Sequence, residues 1–165
     1  MPAQSSRAHL LAIDHDEAVR DVYEDLFAEV GFQVTVASPS ATVEDVRAIR
    51  PDLVLLDWPY PWNEPPALLQ GMRRTRDLAT TPAIIASTAP ERAATTLPAD
   101  PHARLVPKPF TVEEILDCAD LLLTQARELT RRSHALRRQL GFAQDRHTWA
   151  LHRWTSAGTD PLDES

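Results

Sequence analysis

Five short apolar runs, separated by amphipathic stretches, occupy the first 123 residues of this 165-residue chain. The runs are rich in Val, Ile and Leu, and they cover His9–Ile13, Gln33–Ala37, 52–56, Ala83–Ser87 and 104–106. Runs of this length and composition are typical of strands buried on both faces. The stretches between them predict helices over 17–30, 42–50, 67–78 and 89–102, the last short or irregular because it contains three prolines. With a fifth helix beginning after Thr111, the alternation predicts an α/β protein with a doubly wound, five-stranded parallel sheet.

Polar side chains follow four of the five predicted strands. In a parallel sheet the carboxyl ends of the strands meet at one edge, where ligands bind. The residues placed at that edge are Asp14, His15, Asp16, Asp57, Ser87, Thr88 and Lys108. The sequence therefore predicts a functional site that combines carboxylates, hydroxyls and one lysine.

The composition excludes several classes of protein. Cys118 is the only cysteine, which excludes an internal disulfide framework and a cysteine-based zinc site. Four glycines are too few for a glycine-rich phosphate-binding loop. The apolar runs are too short to span a bilayer, and the first seven residues lack the pattern of a signal peptide. We therefore expect a cytoplasmic protein without membrane insertion.

Four segments carry a resemblance to a known family. They are Leu-Leu-Ala-Ile-Asp at 10–14, Pro-Asp-Leu-Val-Leu-Leu-Asp at 51–57, Pro-Ala-Ile-Ile-Ala-Ser at 82–87 and Lys-Pro-Phe at 108–110. In order and spacing, with 30 residues from Asp57 to Ser87 and 51 from Asp57 to Lys108, residues 8–123 resemble the receiver domain of two-component response regulators. The resemblance implies a flavodoxin-like (βα)₅ fold and a phosphoryl transfer from a histidine kinase or phosphotransfer protein.

The resemblance also implies a role for each residue at the predicted edge. Asp57 is the phosphoryl acceptor, since a carboxylate is a competent nucleophile, and Lys108 is a point charge for the phosphoryl oxygens. Ser87 is a hydrogen-bonding partner for a further phosphoryl oxygen. The implied cofactor is Mg²⁺, and its ligands are Asp14, Asp57 and the backbone carbonyl of Pro59, with Asp16 as an alternative ligand. Apart from forming and losing its own phosphoryl group, such a protein is not an enzyme.

Three departures from the family make this an atypical receiver. His15 stands where receivers carry a second acid, and because Mg²⁺ prefers oxygen ligands we expect weakened Mg²⁺ binding. Leu105 replaces an aromatic residue that changes rotamer on activation. The loop from Trp58 to Pro66 contains two tryptophans, a tyrosine and four prolines, and it is either a lid over the site or an exposed docking patch, the lid being the default.

About 40 residues follow the predicted receiver. Residues 1–123 carry a net charge of −9, whereas 124–155 carry seven arginines and a net charge of +5. Heptad spacing of Leu129 and Leu136 favours a homodimer through this helix. Docking on an acidic partner or on the chain's own acidic receiver is an alternative, and nucleic-acid binding is disfavoured because no DNA-binding module is recognisable. We expect one helix over 111–140 ending at Gly141, a second over 143–154, and disorder in 156–165, as in the tail 1–7.

Two hypotheses about function follow. The first is a stand-alone response regulator that signals through protein–protein contacts, because the chain leaves no room for an output domain. The second is a phosphorylation-independent adaptor that uses the receiver fold as a scaffold, as His15 and Leu105 suggest. A small enzyme on the same fold is the least favoured, because the edge carries no base-activated nucleophile pair beyond what a receiver needs.

Overall fold

The computed structural model describes residues 7–58 and 66–155, with side chains described as far as residue 139. The five strands are β1 (His9–Ile13), β2 (Gln33–Ala37), β3 (Leu53–Asp57), β4 (Ala83–Ser87) and β5 (Ala103–Pro107). The five helices are α1 (Glu17–Glu29), α2 (Val43–Ile49), α3 (Ala67–Arg74), α4 (Pro90–Thr96) and α5 (Val112–Thr155). The predicted bounds of β1, β2 and β4 agree with the structure, and those of β3 and β5 differ from it by one residue at each end.

All strand pairs are parallel, and the strand order is β2-β1-β3-β4-β5. The predicted α/β, doubly wound, flavodoxin-like sheet is therefore confirmed. Successive strand side chains point to opposite faces, so Leu10 and Ala12 enter one core while Leu11 and Ile13 enter the other. The first core also contains side chains of α1 and α5, and the second contains side chains of α2, α3 and α4.

Local residue chemistry explains three of the helix ends. Asp16 caps α1 by accepting a hydrogen bond from the backbone N–H of Ala18 at 2.9 Å. Gly31 follows α1 with φ +103°, a left-handed conformation that favours glycine. Thr42 and Asp45 form a capping box at the start of α2.

The third helix is shorter than predicted. It ends at Arg74 because Thr75 adopts an extended conformation, and the Thr75 hydroxyl donates a hydrogen bond to the carbonyl oxygen of Gly71 at 2.8 Å. The sequence pattern placed Leu78 on this helix. The chain instead turns after Arg74, and Leu78 is buried in the second core although it is not part of α3. The fourth helix has only seven residues, as the prolines predicted.

The chain forms two compact units, Met1–Ala126 and Arg127–Ser165. In the second unit the described backbone is helical as far as Thr155, so the predicted helix end at Gly141 is wrong. An interior glycine costs a helix only about 1 kcal/mol relative to alanine. Since no proline lies between Val112 and Thr155, nothing in the sequence forces a stop. The tails predicted to be disordered lie outside the described residues, apart from Arg7.

The side chains from Arg127 to Arg138 are exposed in the second unit. Among them Leu129 and Leu136 are 48% and 58% exposed. Within the described part of the chain, no helix is both long and apolar enough to cross a membrane.

Candidate functional site

The carboxyl edge of the sheet brings Asp14, Asp57 and Lys108 together. Asp14 follows β1 and Asp57 ends β3, which are neighbouring strands, and Lys108 follows β5, which lies beyond β4 at the edge of the sheet. The Lys108 Nζ donates to Asp14 Oδ2 at 3.0 Å and to Asp57 Oδ1 at 2.7 Å. The two carboxylates are almost completely buried, with side chains 1% and 5% exposed. Lys108 is therefore the cation that compensates two neighbouring buried negative charges.

His15 contacts the remaining oxygens of the same two carboxylates. Its Nδ1 lies 2.6 Å from Asp57 Oδ2 and 3.3 Å from Asp14 Oδ1, while the side chain is 59% exposed. Lys108 and His15 thus divide the four carboxylate oxygens between them. The sequence placed His15 at this edge but did not predict that it contacts Asp57.

The environment of Lys108 favours its charged form. Burial opposes the charge, but the hydrogen bonds to Asp57 and Asp14 outweigh burial and raise the pKa of Lys108 above its ordinary value. Lys108 is also the only lysine among the 17 basic Lys and Arg residues of the sequence. The peptide bond between Lys108 and Pro109 is cis.

Two residues of α1 complete the surroundings of Asp14, and sequence reasoning missed both. Burial is the main reason why the pKa of Tyr23 is raised to about 12. The positive charge of Lys108 opposes the rise in this pKa, and the nearby carboxylates of Asp14 and Asp57 contribute to it. The Arg20 guanidinium donates to the backbone carbonyl of Asp14 at 2.7 Å. The helical period of 17–30 places Tyr23 on the apolar face of α1, but it carries no information about the position of the tyrosine hydroxyl.

The other predicted site residues lie in different positions. The Asp16 side chain caps α1, while its backbone N–H donates to Asp14 Oδ1 at 3.0 Å. Ser87 is buried at the end of β4, where its Oγ accepts from the backbone N–H of Ala89 at 3.1 Å. Pro59 lies outside the described residues.

Two further positions bear on the atypical features. Leu105, in the place of the family's aromatic residue, lines a mainly apolar cavity of about 600 Å³ together with Leu69, Ile85 and Leu97. Trp58 is buried in the second core, and its Nε1 has no hydrogen-bond partner among the described residues. One of the three aromatic residues of the 58–66 loop is thus a core residue, and the other two lie outside the described residues.

A metal ion would meet a mixed donor set here. Asp14, His15 and Asp57 each offer one ligand atom, and these atoms lie within 4.8 Å of one another. Mg²⁺ prefers oxygen ligands in octahedral geometry, and an imidazole nitrogen is a ligand for transition metals instead. Among the described residues, the donor set therefore does not fit the all-oxygen shell of Mg²⁺.

Comparison with solved structures identifies the fold. A response regulator receiver protein from Sinorhizobium medicae is 22% identical with a TM-score of 0.59, and the match covers 73% of this chain and 97% of that one. Chemotaxis protein CheY4 from Vibrio cholerae is 16% identical with a TM-score of 0.55, over 70% and 98% of the two chains. NtrX from Brucella abortus is 19% identical with a TM-score of 0.63, over 76% of this chain and 29% of that one. No family model and no curated protein matches the sequence. The chain therefore has the fold of a response regulator receiver domain, followed by a helical extension.

Proposed function

We propose that this chain is a two-component signalling receiver that accepts a phosphoryl group on Asp57 from a histidine kinase or a phosphotransfer protein. The observation that carries the proposal is the contact of Lys108 Nζ with Asp57 and Asp14 at the carboxyl edge of the sheet. A nucleophilic carboxylate and a fixed cation are the two elements that phosphoryl transfer needs from the protein for attack and charge neutralisation.

The transfer can be written with the residues that are present. An oxygen of Asp57 forms a bond to phosphorus, while the bond from phosphorus to the donor's histidine nitrogen breaks and its electrons return to that nitrogen. Lys108, which contacts Asp57 Oδ1 in the unmodified protein, then faces the new phosphoryl oxygens. Ser87 can donate its hydroxyl proton to one of them, because among the described residues its oxygen accepts from the backbone N–H of Ala89 and its proton is not committed.

Intact mass spectrometry tests the proposal. The full chain is incubated with acetyl phosphate and a divalent cation, magnesium in one series and zinc in a second, beside two variants, Asp57→Asn and Asp25→Asn, of which the second removes an exposed acid of α1. We expect one phosphoryl adduct in the original protein and in Asp25→Asn, and none in Asp57→Asn. No adduct in folded original protein, or an adduct that persists in Asp57→Asn, would reject Asp57 as the acceptor.

We further propose that the output is a protein–protein contact made by the helical extension, with a second copy as the first partner. Leu129 and Leu136 are exposed and one heptad apart, which suits a helix–helix seam. The double variant Leu129→Glu/Leu136→Glu should give monomers in sedimentation. His134→Glu/Ala135→Glu adds the same two charges away from the seam and should leave dimers. Original protein that is monomeric at tens of micromolar, a concentration near the Kd of a weak interface, would reject the seam.

One observation favours a second candidate, a pseudo-receiver adaptor that works without phosphorylation. The His15 Nδ1 lies 2.6 Å from the Asp57 oxygen that Lys108 leaves open. In an adaptor this contact would be permanent, and the mass measurement would find no adduct. Partner capture would then be unaffected by Asp57→Asn, whereas a receiver would change its partner affinity with that substitution.

A further inference from the structure

We propose that Asp14, His15 and Asp57 form a site for a divalent first-row transition ion of the zinc type instead of a magnesium site. Asp14 and His15 are the two residues that follow β1, and Asp57 is the last residue of β3, the strand next to β1. Two carboxylates and one imidazole are three protein ligands, the number that an open zinc site has when its fourth position is left for water or a substrate.

The distances within the cluster suit such an ion. Zinc lies about 2.0–2.2 Å from nitrogen and oxygen ligands, so neighbouring ligand atoms in a tetrahedral or octahedral shell are about 2.8–3.6 Å apart. The His15 Nδ1 is 3.3 Å from Asp14 Oδ1, which lies within that range, and 2.6 Å from Asp57 Oδ2, which lies slightly below it. An ion would therefore need shifts of only a few tenths of an ångström between His15 and each carboxylate.

An ion can bind Asp14 and Asp57 without breaking their contacts with Lys108. Lys108 Nζ uses Asp14 Oδ2 and Asp57 Oδ1, and His15 faces the other oxygen of each carboxylate. An ion that enters between His15 and these oxygens replaces the contacts of His15 and leaves both contacts of Lys108 in place. Two carboxylates and one lysine carry a net negative charge, which favours a further cation.

The backbone also holds one of the ligands in place. Asp14 Oδ1, the oxygen that faces His15, accepts a hydrogen bond from the N–H of Asp16 at 3.0 Å. Such contacts from outside the ligand set orient the ligands of metal sites. His15 can bind only through an unprotonated Nδ1, which requires the tautomer with its proton on Nε2.

A simple preference for zinc over magnesium does not test the proposal, because most nitrogen and oxygen sites favour the transition ion. The decisive quantity is the change in selectivity when His15 is replaced. His15→Asp restores an all-oxygen ligand set, so it should raise the affinity for Mg²⁺ and lower the ratio of zinc to magnesium affinity. His15→Ala removes the nitrogen ligand. Because the His15 side chain is largely exposed, we expect both variants to fold.

The measurement uses the full chain freed of any histidine tag, in the unphosphorylated state. Zinc affinity is measured by competition with a chromophoric chelator, and magnesium affinity by titration calorimetry. We expect His15→Ala to lower the zinc affinity by about tenfold or more, the range seen when the surroundings of a metal site are damaged. We expect His15→Asp to lower the zinc-to-magnesium ratio by at least as much. His134→Ala removes an exposed histidine of the extension and should change neither affinity by more than about twofold, as expected for a residue outside the site.

The NMR resonances of the histidine ring nitrogens identify which imidazole binds zinc. Zinc should shift the ring nitrogens of His15 at one equivalent, before those of the other histidines. Zinc affinity that is unchanged in His15→Ala, an unchanged zinc-to-magnesium ratio in His15→Asp, or first-equivalent shifts confined to other histidines would each overturn the proposal. The binding does not depend on phosphoryl transfer, so a missing phosphoryl adduct would reject the proposed receiver and leave the metal site standing.

Discussion

Replacement of the single lysine should be among the most destabilising changes at the carboxyl edge. Lys108→Met keeps much of the side-chain length but leaves Asp14 and Asp57, both almost completely buried, without their cation. Removing one partner of a buried ion pair costs about 3–5 kcal/mol. Because Lys108 is itself 19% exposed, water screens part of this loss, and we expect about 3 kcal/mol. That is a large part of the 5–15 kcal/mol by which a typical domain is stable.

The assay is urea unfolding at pH 7 of the original protein, Lys108→Met, Asp57→Asn and the double variant. Because Asp57→Asn removes one of the two charges that Lys108 compensates, the loss caused by Lys108→Met should shrink by about 1–2 kcal/mol in that background. Arg76→Met removes an exposed positive charge and should change stability by less than about 0.5 kcal/mol. A loss below about 1 kcal/mol for Lys108→Met, equal in both backgrounds, would refute the compensation argument.

Three further predictions concern single positions. Thr42→Ala removes the capping box of α2 and should cost about 1 kcal/mol in urea unfolding; a change below about 0.3 kcal/mol would contradict the role of the cap. The pKa of Tyr23 is raised to about 12, so the neutral form stabilises the folded protein below pH 10 and this contribution disappears between pH 10 and 12. Between pH 10 and 12 the free energy of unfolding, measured with urea, should therefore fall by about 2–3 kcal/mol less in Tyr23→Phe than in the original protein. An equally steep fall in the variant would contradict the prediction. Gly141→Ala should stabilise α5 by about 1 kcal/mol and raise its ellipticity, whereas lower ellipticity would mean that the helix ends there.

The sequence was sufficient to predict the sheet because its three central strands, β1, β3 and β4, are almost entirely buried. Runs such as Leu53 to Leu56 are uniformly apolar and are bounded by proline or by polar residues, so their position in the chain fixes both the strands and the edge that their ends form. Helix starts that depend on one side chain, as at Thr111, could also be predicted, and the Thr111 hydroxyl oxygen accepts a hydrogen bond from the backbone N–H of Glu114. The end of α3 could not, because it depends on a hydrogen bond from the Thr75 hydroxyl to the backbone of Gly71, for which the sequence has no periodic signal.

Within the site, the sequence predicted which residues share an edge but not how they divide their contacts. Spacing places Asp14, Asp57 and Lys108 at the ends of β1, β3 and β5, and because all the strands are parallel these ends lie at the same edge of the sheet. Which oxygen each cation or imidazole takes depends on rotamers and on a few tenths of an ångström, quantities that no pattern of residue types records. The contribution of Tyr23 was hidden for a similar reason, since a residue with an apolar ring and a polar end satisfies the pattern of a core position.

The two candidate functions, phosphorylated receiver and phosphorylation-independent adaptor, differ in whether the contact between His15 and Asp57 is strong enough to block phosphorylation. Phosphoryl acceptance requires one free oxygen on Asp57, and Lys108 holds Oδ1 through a charge pair that is expensive to break. His15 holds Oδ2, but it is 59% exposed, and a solvent-exposed contact of this kind is worth only about 1 kcal/mol. An energy of that size slows a reaction by less than about tenfold. If Asp57 is the acceptor that we propose, His15 alone would retard its phosphorylation without preventing it, so an inert Asp57 would have to be explained by the way in which the surroundings block access to the carboxylate.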